Sequence, residues 1–253
     1  MKHNERHHLK DNELAKALTG AQEFVGPRAK AIGLAVVGIL VIAGLAGGFM
    51  VMRQRSQSRG QELLAEALVA LDARVVPASA AGAEGDAPAA AQFNATGTFS
   101  TEAAKLNAAL PKLKAAAEAY PDQAAGITAR YHMAGALAAL GRHAEAITAF
   151  DDVQQRAGGN SLYGRMARLG KADAQAKAGQ LDDAIASWKT MVAQDSSELP
   201  VDAILIELAR AYVTKGNTAE AKQTFTQIVD QHPDSPYVAE ARAGLDTLNA
   251  AAS

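Results

Sequence analysis

The chain has 253 residues, a net charge of −2 and no cysteine. A near-neutral balance without a basic stripe argues against nucleic-acid binding, which needs clustered cations to neutralise phosphates. The missing cysteine excludes structural disulfides, thiolate metal sites and a lipid-bearing N-terminal cysteine. Ala, Leu, Gln, Glu and Lys dominate, aromatics make up 5% and β-branched runs are scarce, so the expected class is all-α.

Residues 1–30 hold six Lys/Arg and four Asp/Glu. His3, His7 and His8 lie here without a further fixed ligand and read as part of a polar tail, not a metal site. Leu14, Leu18, Ala21 and Val25 recur at helical spacing, which predicts a short amphipathic helix over 11–24, ended by Gly26-Pro27.

Ala31 to Met52 follows, with no charge, amide or hydroxyl, between Lys30 and Arg53. At ~1.5 Å per residue a helix of this length covers ~33 Å, enough for a hydrocarbon core of ~30 Å. The run is too long and too far from the first residue for a cleaved signal peptide, so it reads as an uncleaved signal anchor. Lys16, Arg28 and Lys30 balance Arg53, Arg55 and Arg59 across it; Lys2, Arg6 and Lys10 tip the count towards a cytoplasmic N-terminus. Gly44 and Gly48 form a small-x-x-x-small pair, a spacing that lets two such helices approach, so a homodimer through them stays open.

Beyond the span, Leu64, Leu68 and Leu71 predict an amphipathic helix over 61–73. Residues 77–99 are rich in Ala, Gly and Pro without an apolar period and read as a flexible loop. Asn94-Ala95-Thr96 matches a glycosylation acceptor at chance level only. From Ser100 the pattern is helical almost to the end.

That helical part repeats. Gly141, Gly179 and Gly216 stand 38 and 37 residues apart. Ala146, Ala184 and Ala221 keep these intervals, as do Phe150, Trp188 and Phe225, and Val153, Met191 and Ile228. Each position has a physical reason. The glycine ends the first helix of a pair at positive φ. The alanine lets the second helix lie close, with Ala134, Ala172 and Ala209 doing the same on the first. The aromatic fills the space between successive pairs. One pair cannot bury its own apolar face, so the pairs must stack.

These residues resemble the tetratricopeptide repeat. The third block matches best, through Leu205, Leu208-Ala209, Tyr212, Gly216, Ala221, Phe225, Ile228 and Pro233; Lys171 and Gln175 depart from it in the second. Residues 61–73 and a helix containing Leu113, Ala116 and Pro121 would be a degraded earlier unit, in which Pro111 predicts a kink or late start. Residues 235–249 would be a closing helix. The expected fold is all-α: one N-terminal transmembrane helix, then a tetratricopeptide-like α-solenoid of about four helix pairs. The expected domains are 1–30 (cytoplasmic tail), 31–52 (transmembrane helix) and 53–253 (repeats).

The layout of tail, single span and repeats is similar to the ancillary SecYEG translocon subunit family of bacteria. That resemblance implies an inner-membrane protein with a periplasmic repeat domain that associates with the Sec translocon and periplasmic chaperones. Residues 232–245, HPDSPYVAEARAGL, also resemble repeats of the cell division coordinator and of the outer-membrane assembly lipoprotein. The missing cysteine disfavours the lipoprotein, and the uncleaved span disfavours the soluble coordinator. The tetratricopeptide resemblance places Tyr131, Met166, Leu169, Asp173, Ile206, Arg210 and Val213 on a concave groove of first helices, suited to an extended or helical partner segment. The Lys/Asn clamp for a terminal carboxylate is not matched, since Tyr131 and Gly135 occupy two of its positions.

No P-loop, G-x-G-x-x-G, G-x-S-x-G or H-E-x-x-H motif occurs. His132 and His143 read as helix-surface residues. The pairs Asp151-Asp152 and Asp182-Asp183 are neighbours on a helix, point about 100° apart and form no catalytic dyad. No cofactor, metal site or enzymatic activity is expected. The alternatives are a generic membrane-tethered scaffold for envelope or division complexes and, from another class, a metal-dependent enzyme using the histidines.

Overall fold

A computed structural model describes residues 29–76, 97–194 and 199–251. The expectations for the tail histidines, the 11–24 helix, the Asn94 acceptor and most of the 77–99 loop lie outside these residues. The chain divides into two units, Met1–Ser56 and Gln57–Ser253.

The described part of the first unit lies within helix α1 (Ala29–Leu71). Its apolar side chains are open: Leu45 is 71% exposed, Phe49 68% and Met52 74%. A Cβ added at Gly44 or Gly48 would meet nothing within 4 Å. Among the described residues this is the one helix long and apolar enough to cross a membrane. The sequence reads the span and the 61–73 helix as separate elements, yet α1 runs on to Leu71. The joining stretch RQRSQSRG contains no proline and a single glycine, so nothing interrupts the hydrogen-bond ladder.

The second unit is built of helix pairs. The end of α1 packs on α2 (Glu102–Ala119) through the cluster of Ala67, Ala70, Leu106 and Ala109; α3 (Ala124–Ala139) pairs with α4 (His143–Ala157), α5 (Leu162–Lys177) with α6 (Leu181–Ala193), and α7 (Val201–Lys215) with α8 (Thr218–Gln231); α9 (Val238–Ala250) closes the series. Thr101 caps α2 by accepting from Ala104 N–H at 3.1 Å, and Ser161 caps α5 by accepting from Gly164 N–H at 3.0 Å. Helix α2 starts at Glu102 and continues through Pro111, so the predicted late start does not occur.

The three pairs from α3 to α8 turn in the same way. Gly141, Gly179 and Gly216 have φ of 76°, 82° and 78°. Each glycine N–H donates to the carbonyl three residues back (Ala138, Ala176, Val213). The following N–H donates to the carbonyl five residues behind it (Leu137, Gln175, Tyr212) at 2.8–2.9 Å. A left-handed residue at the helix end satisfies carbonyls that would otherwise be orphaned, and a side chain there is strained.

Before α2 the chain forms a two-residue parallel pair, β1 (Arg74–Val75) with β2 (Thr98–Phe99), in register Arg74↔Thr98 and Val75↔Phe99. The end of the predicted loop is therefore a strand. Phe99 is the cause: it is 4% exposed and anchors the segment.

The core is a series of clusters passed from pair to pair. Ala67, Ala70, Leu106, Ala109, Leu113 and Ala136 join α1, α2 and α3. Ala134, Leu137, Ala146, Phe150, Val153 and Ala167 join α3, α4 and α5. A larger cluster around Trp188 runs from Ala172 on α5 to Ala241 on α9. Ala134, Ala146, Ala172, Ala184, Ala209 and Ala221 are all 0% exposed, where any larger side chain would push neighbouring helices apart.

Candidate protein-interaction face

The aromatics of the second helices set the spacing of the stack. Phe150 (4% exposed), Trp188 (1%) and Phe225 (4%) are buried on α4, α6 and α8. Phe150 rests on Gly170 of the next pair, where an added Cβ would lie 2.5 Å from the ring. Phe225 rests on Gly244 of α9 in the same manner, at 2.7 Å. Gly141, Gly179 and Gly216 lie exposed at the turns; Tyr212 is buried and Pro233 is exposed just beyond α8.

The face formed by α3, α5 and α7 carries the predicted groove residues. Tyr131 on α3 is half-buried, and its ring meets Tyr163 on α5 edge-on at 5.6 Å and Phe150 at 6.0 Å. Burial pushes the Tyr131 hydroxyl pKa up, helped by Tyr163 and Asp173. Met166, Leu169 and Asp173 on α5 are half-buried. Arg210 on α7 donates to both Glu240 oxygens (2.7 and 2.6 Å) and to Glu207 (2.5 Å). Its guanidinium holds the Glu240 carboxyl below the usual range. Val213 is 43% exposed. Ile206 is an exception to the predicted groove: it is 0% exposed, packed in the cluster with Trp188, Leu205 and Tyr212. No partner can reach it there.

Asp173 is the unusual group on this face. Burial raises its pKa to about 6, Glu207 on α7 adds to the rise, and Lys177 and the Trp188 indole N–H oppose it. The indole favours the carboxylate, yet among the described residues neither Trp188 Nε1 nor Asp173 Oδ1 has a hydrogen-bond partner.

Cavities open on both faces. One of about 220 Å³ adjoins Tyr131 and Gly135, with Leu71, Leu106 and His132 in its wall. The His132 imidazole pKa is lowered by burial, against a pull from Asp72. On the opposite, second-helix face, a groove of about 790 Å³ runs between α2 and α4 over Leu110, Met133 and Leu137, and one of about 410 Å³ lies between α4 and α6 by Gln154 and Thr190.

The larger groove ends at Arg130, a residue the repeat pattern does not single out. It is 6% exposed. Its guanidinium donates to the Ala117 and Pro121 carbonyls at 3.2 and 3.3 Å and meets Asp152 at 2.6 Å. Asp152 also takes Arg156, while its neighbour Asp151 pairs with Lys171 at 2.6 Å. Adjacent aspartates thus serve separate ion pairs. Asp182 pairs with Lys215. No cluster of three or more metal-binding side chains occurs among the described residues.

A run of antiparallel helix hairpins with a shared second-helix aromatic and an αL glycine turn defines an α-solenoid of tetratricopeptide type. Residues 128–158 and 175–245 match tetratricopeptide repeat family models. Among solved structures, the chain is similar to the nearly identical TPR-like repeats of a Podosopora anserina kinesin light chain candidate. The TM-score is 0.50 at 19% identity, over 57% of this chain and 77% of that one. It is also similar to a tetratricopeptide repeat protein from Parabacteroides merdae, with a TM-score of 0.48 at 16% identity, over 58% of this chain and 54% of that one. Identities this low speak to fold alone. No curated protein matches the chain. The chain carries tetratricopeptide repeats, a fold that serves as a scaffold for protein–protein interaction.

Proposed function

We propose that this is a membrane-anchored scaffold whose residues 31–52 span the bilayer and whose repeats, within residues 53–253, hold protein partners without catalysis. The observation that carries the reading is the open apolar surface of α1, with Leu45, Phe49 and Met52 uncovered, in a chain that also carries interaction repeats. Lipid is the solvent that suits such a surface.

The layout resembles the ancillary Sec translocon subunit family, so the preferred placement is the bacterial inner membrane, with residues 1–30 cytoplasmic and the repeats periplasmic. There they would link the translocon to periplasmic chaperones. Tyr131, Met166, Leu169, Asp173, Arg210 and Val213 form the contact face in this reading. It is favoured over the second-helix groove because that groove's charges are already matched: Lys114 with Glu118, Arg142 with Glu145, Arg130 with Asp152. Two spans pairing through Gly44 and Gly48 would double the scaffold.

A reporter active only outside the cytoplasm, fused after Ser253, tests the topology and is expected to be active. A silent reporter overturns the export reading in favour of a cytoplasmic scaffold. Co-purification after mild cross-linking is expected to recover translocon components; their absence, with envelope or division proteins in their place, would favour a generic tether.

A further inference from the structure

One carboxylate of the first-helix face, Asp173, stands outside the ion pairs formed among the described residues. Glu207, Arg210 and Glu240 form one cluster in which the single guanidinium serves both glutamates. Asp173 lies beside it and, among the described residues, takes no cation in an ion pair. The groups facing it are Tyr131 on α3, Lys177 on its own helix, Trp188 on α6 and Glu207 on α7. Of these, Glu207 repels its charge and Lys177, the only cation, stands a turn away along the same helix without closing a contact. Oδ1 is enclosed and has no hydrogen-bond partner among the described residues. A mostly buried carboxylate left in this state is costly, and an incoming cation relieves the cost. Beside it Leu169 and Met166 offer half-buried apolar surface, and Val213 lies exposed on α7.

We propose that Asp173 receives a lysine or arginine side chain from the partner segment on this face, with an apolar side chain of the same segment resting on Leu169 and Met166. The inference builds on the reading of this face as the contact surface. The chemistry is the reverse of gripping a terminal carboxylate, and it selects a segment with a cation among apolar residues over an acidic one. Bidentate arginine would satisfy the carboxylate best, and lysine would serve as a point charge.

The test uses the full chain in detergent micelles and a phage-displayed library of random short peptides. Peptides selected on the native chain are expected to share Lys or Arg at one position, and that enrichment should vanish on Asp173→Asn, a near-isosteric change. Resynthesised peptides should bind roughly tenfold more weakly at about pH 5 than at about pH 7.5, because protonation removes the acceptor, and Asp173→Asn should flatten that profile. If Asp173→Asn does not fold, the native pH profile decides alone. Peptides that lose binding on Met166→Glu or Val213→Arg, but share no cation or bind Asp173→Asn equally well, overturn the cation acceptor and leave the face standing. Peptides indifferent to all three changes, or no enrichment at all, overturn both.

Discussion

Gly170 and Gly135 both lie inside first helices and carry opposite consequences. Gly170 is pressed by the Phe150 ring, so Gly170→Ala should destabilise the protein by about 1–3 kcal/mol through overpacking. Gly135 has open space where a Cβ would stand, with no atom within 4 Å, so Gly135→Ala should stabilise the protein by about 0.5–1 kcal/mol. Denaturant melts of the two variants should therefore move in opposite directions; equal shifts would contradict the seating of Phe150. Asp173 makes a second prediction. Its native pKa of about 6 lies above its unfolded value, so its contribution to stability declines as pH rises from about 4 to about 6 and is level above that. Asp173→Asn should gain up to about 3 kcal/mol near neutral pH and nothing near pH 4. Thermal melts across that range check the sign. Residues such as these mark the limit of the sequence. The periodic alanines and aromatics are visible because each recurs at one fixed position of successive helix pairs. Ile206 has the right spacing for the groove but is covered by the cluster around Trp188, and Arg130 draws its partners from α2 and α4. Neither arrangement leaves a local pattern.

At the scale of elements the turns carry the regularity. Gly141, Gly179 and Gly216 share positive φ and the same pair of carbonyl contacts. Substituting any one by alanine should cost about 1–2 kcal/mol, with a similar value at all three sites, since the strain belongs to the backbone rather than to neighbours. Urea denaturation of the three single variants reads this directly, and a large spread would mean that the turns are not equivalent. These turns were legible because a helix end is decided within a few residues. The length of α1 was not, since apolar and polar stretches of one helix look like two elements when composition alone is read. The β1–β2 pair was hidden for a related reason: two residues with a long insertion between them give no alternating signal, and only the burial of Phe99 reveals it.

Taken whole, the repeat unit is a one-dimensional stack in which each pair touches its neighbours through a shared cluster. Removing α9 takes away Gly244 and Ala241 and uncovers Phe225 at the end of the stack. Hydrogen exchange on a chain ending after Asp234 should show large loss of protection in α7 and α8 and little in α3 and α4; uniform loss would mean a single cooperative core. The claim on which the functional account turns is that partners meet the first-helix face. It is tested by a photo-reactive residue placed in turn at Val213 on α7 and at Thr190 on α6, with cross-linking in intact cells. Both positions are exposed, one on a first helix and one on a second. The account predicts protein adducts from Val213 and none from Thr190; adducts from Thr190 alone would contradict it.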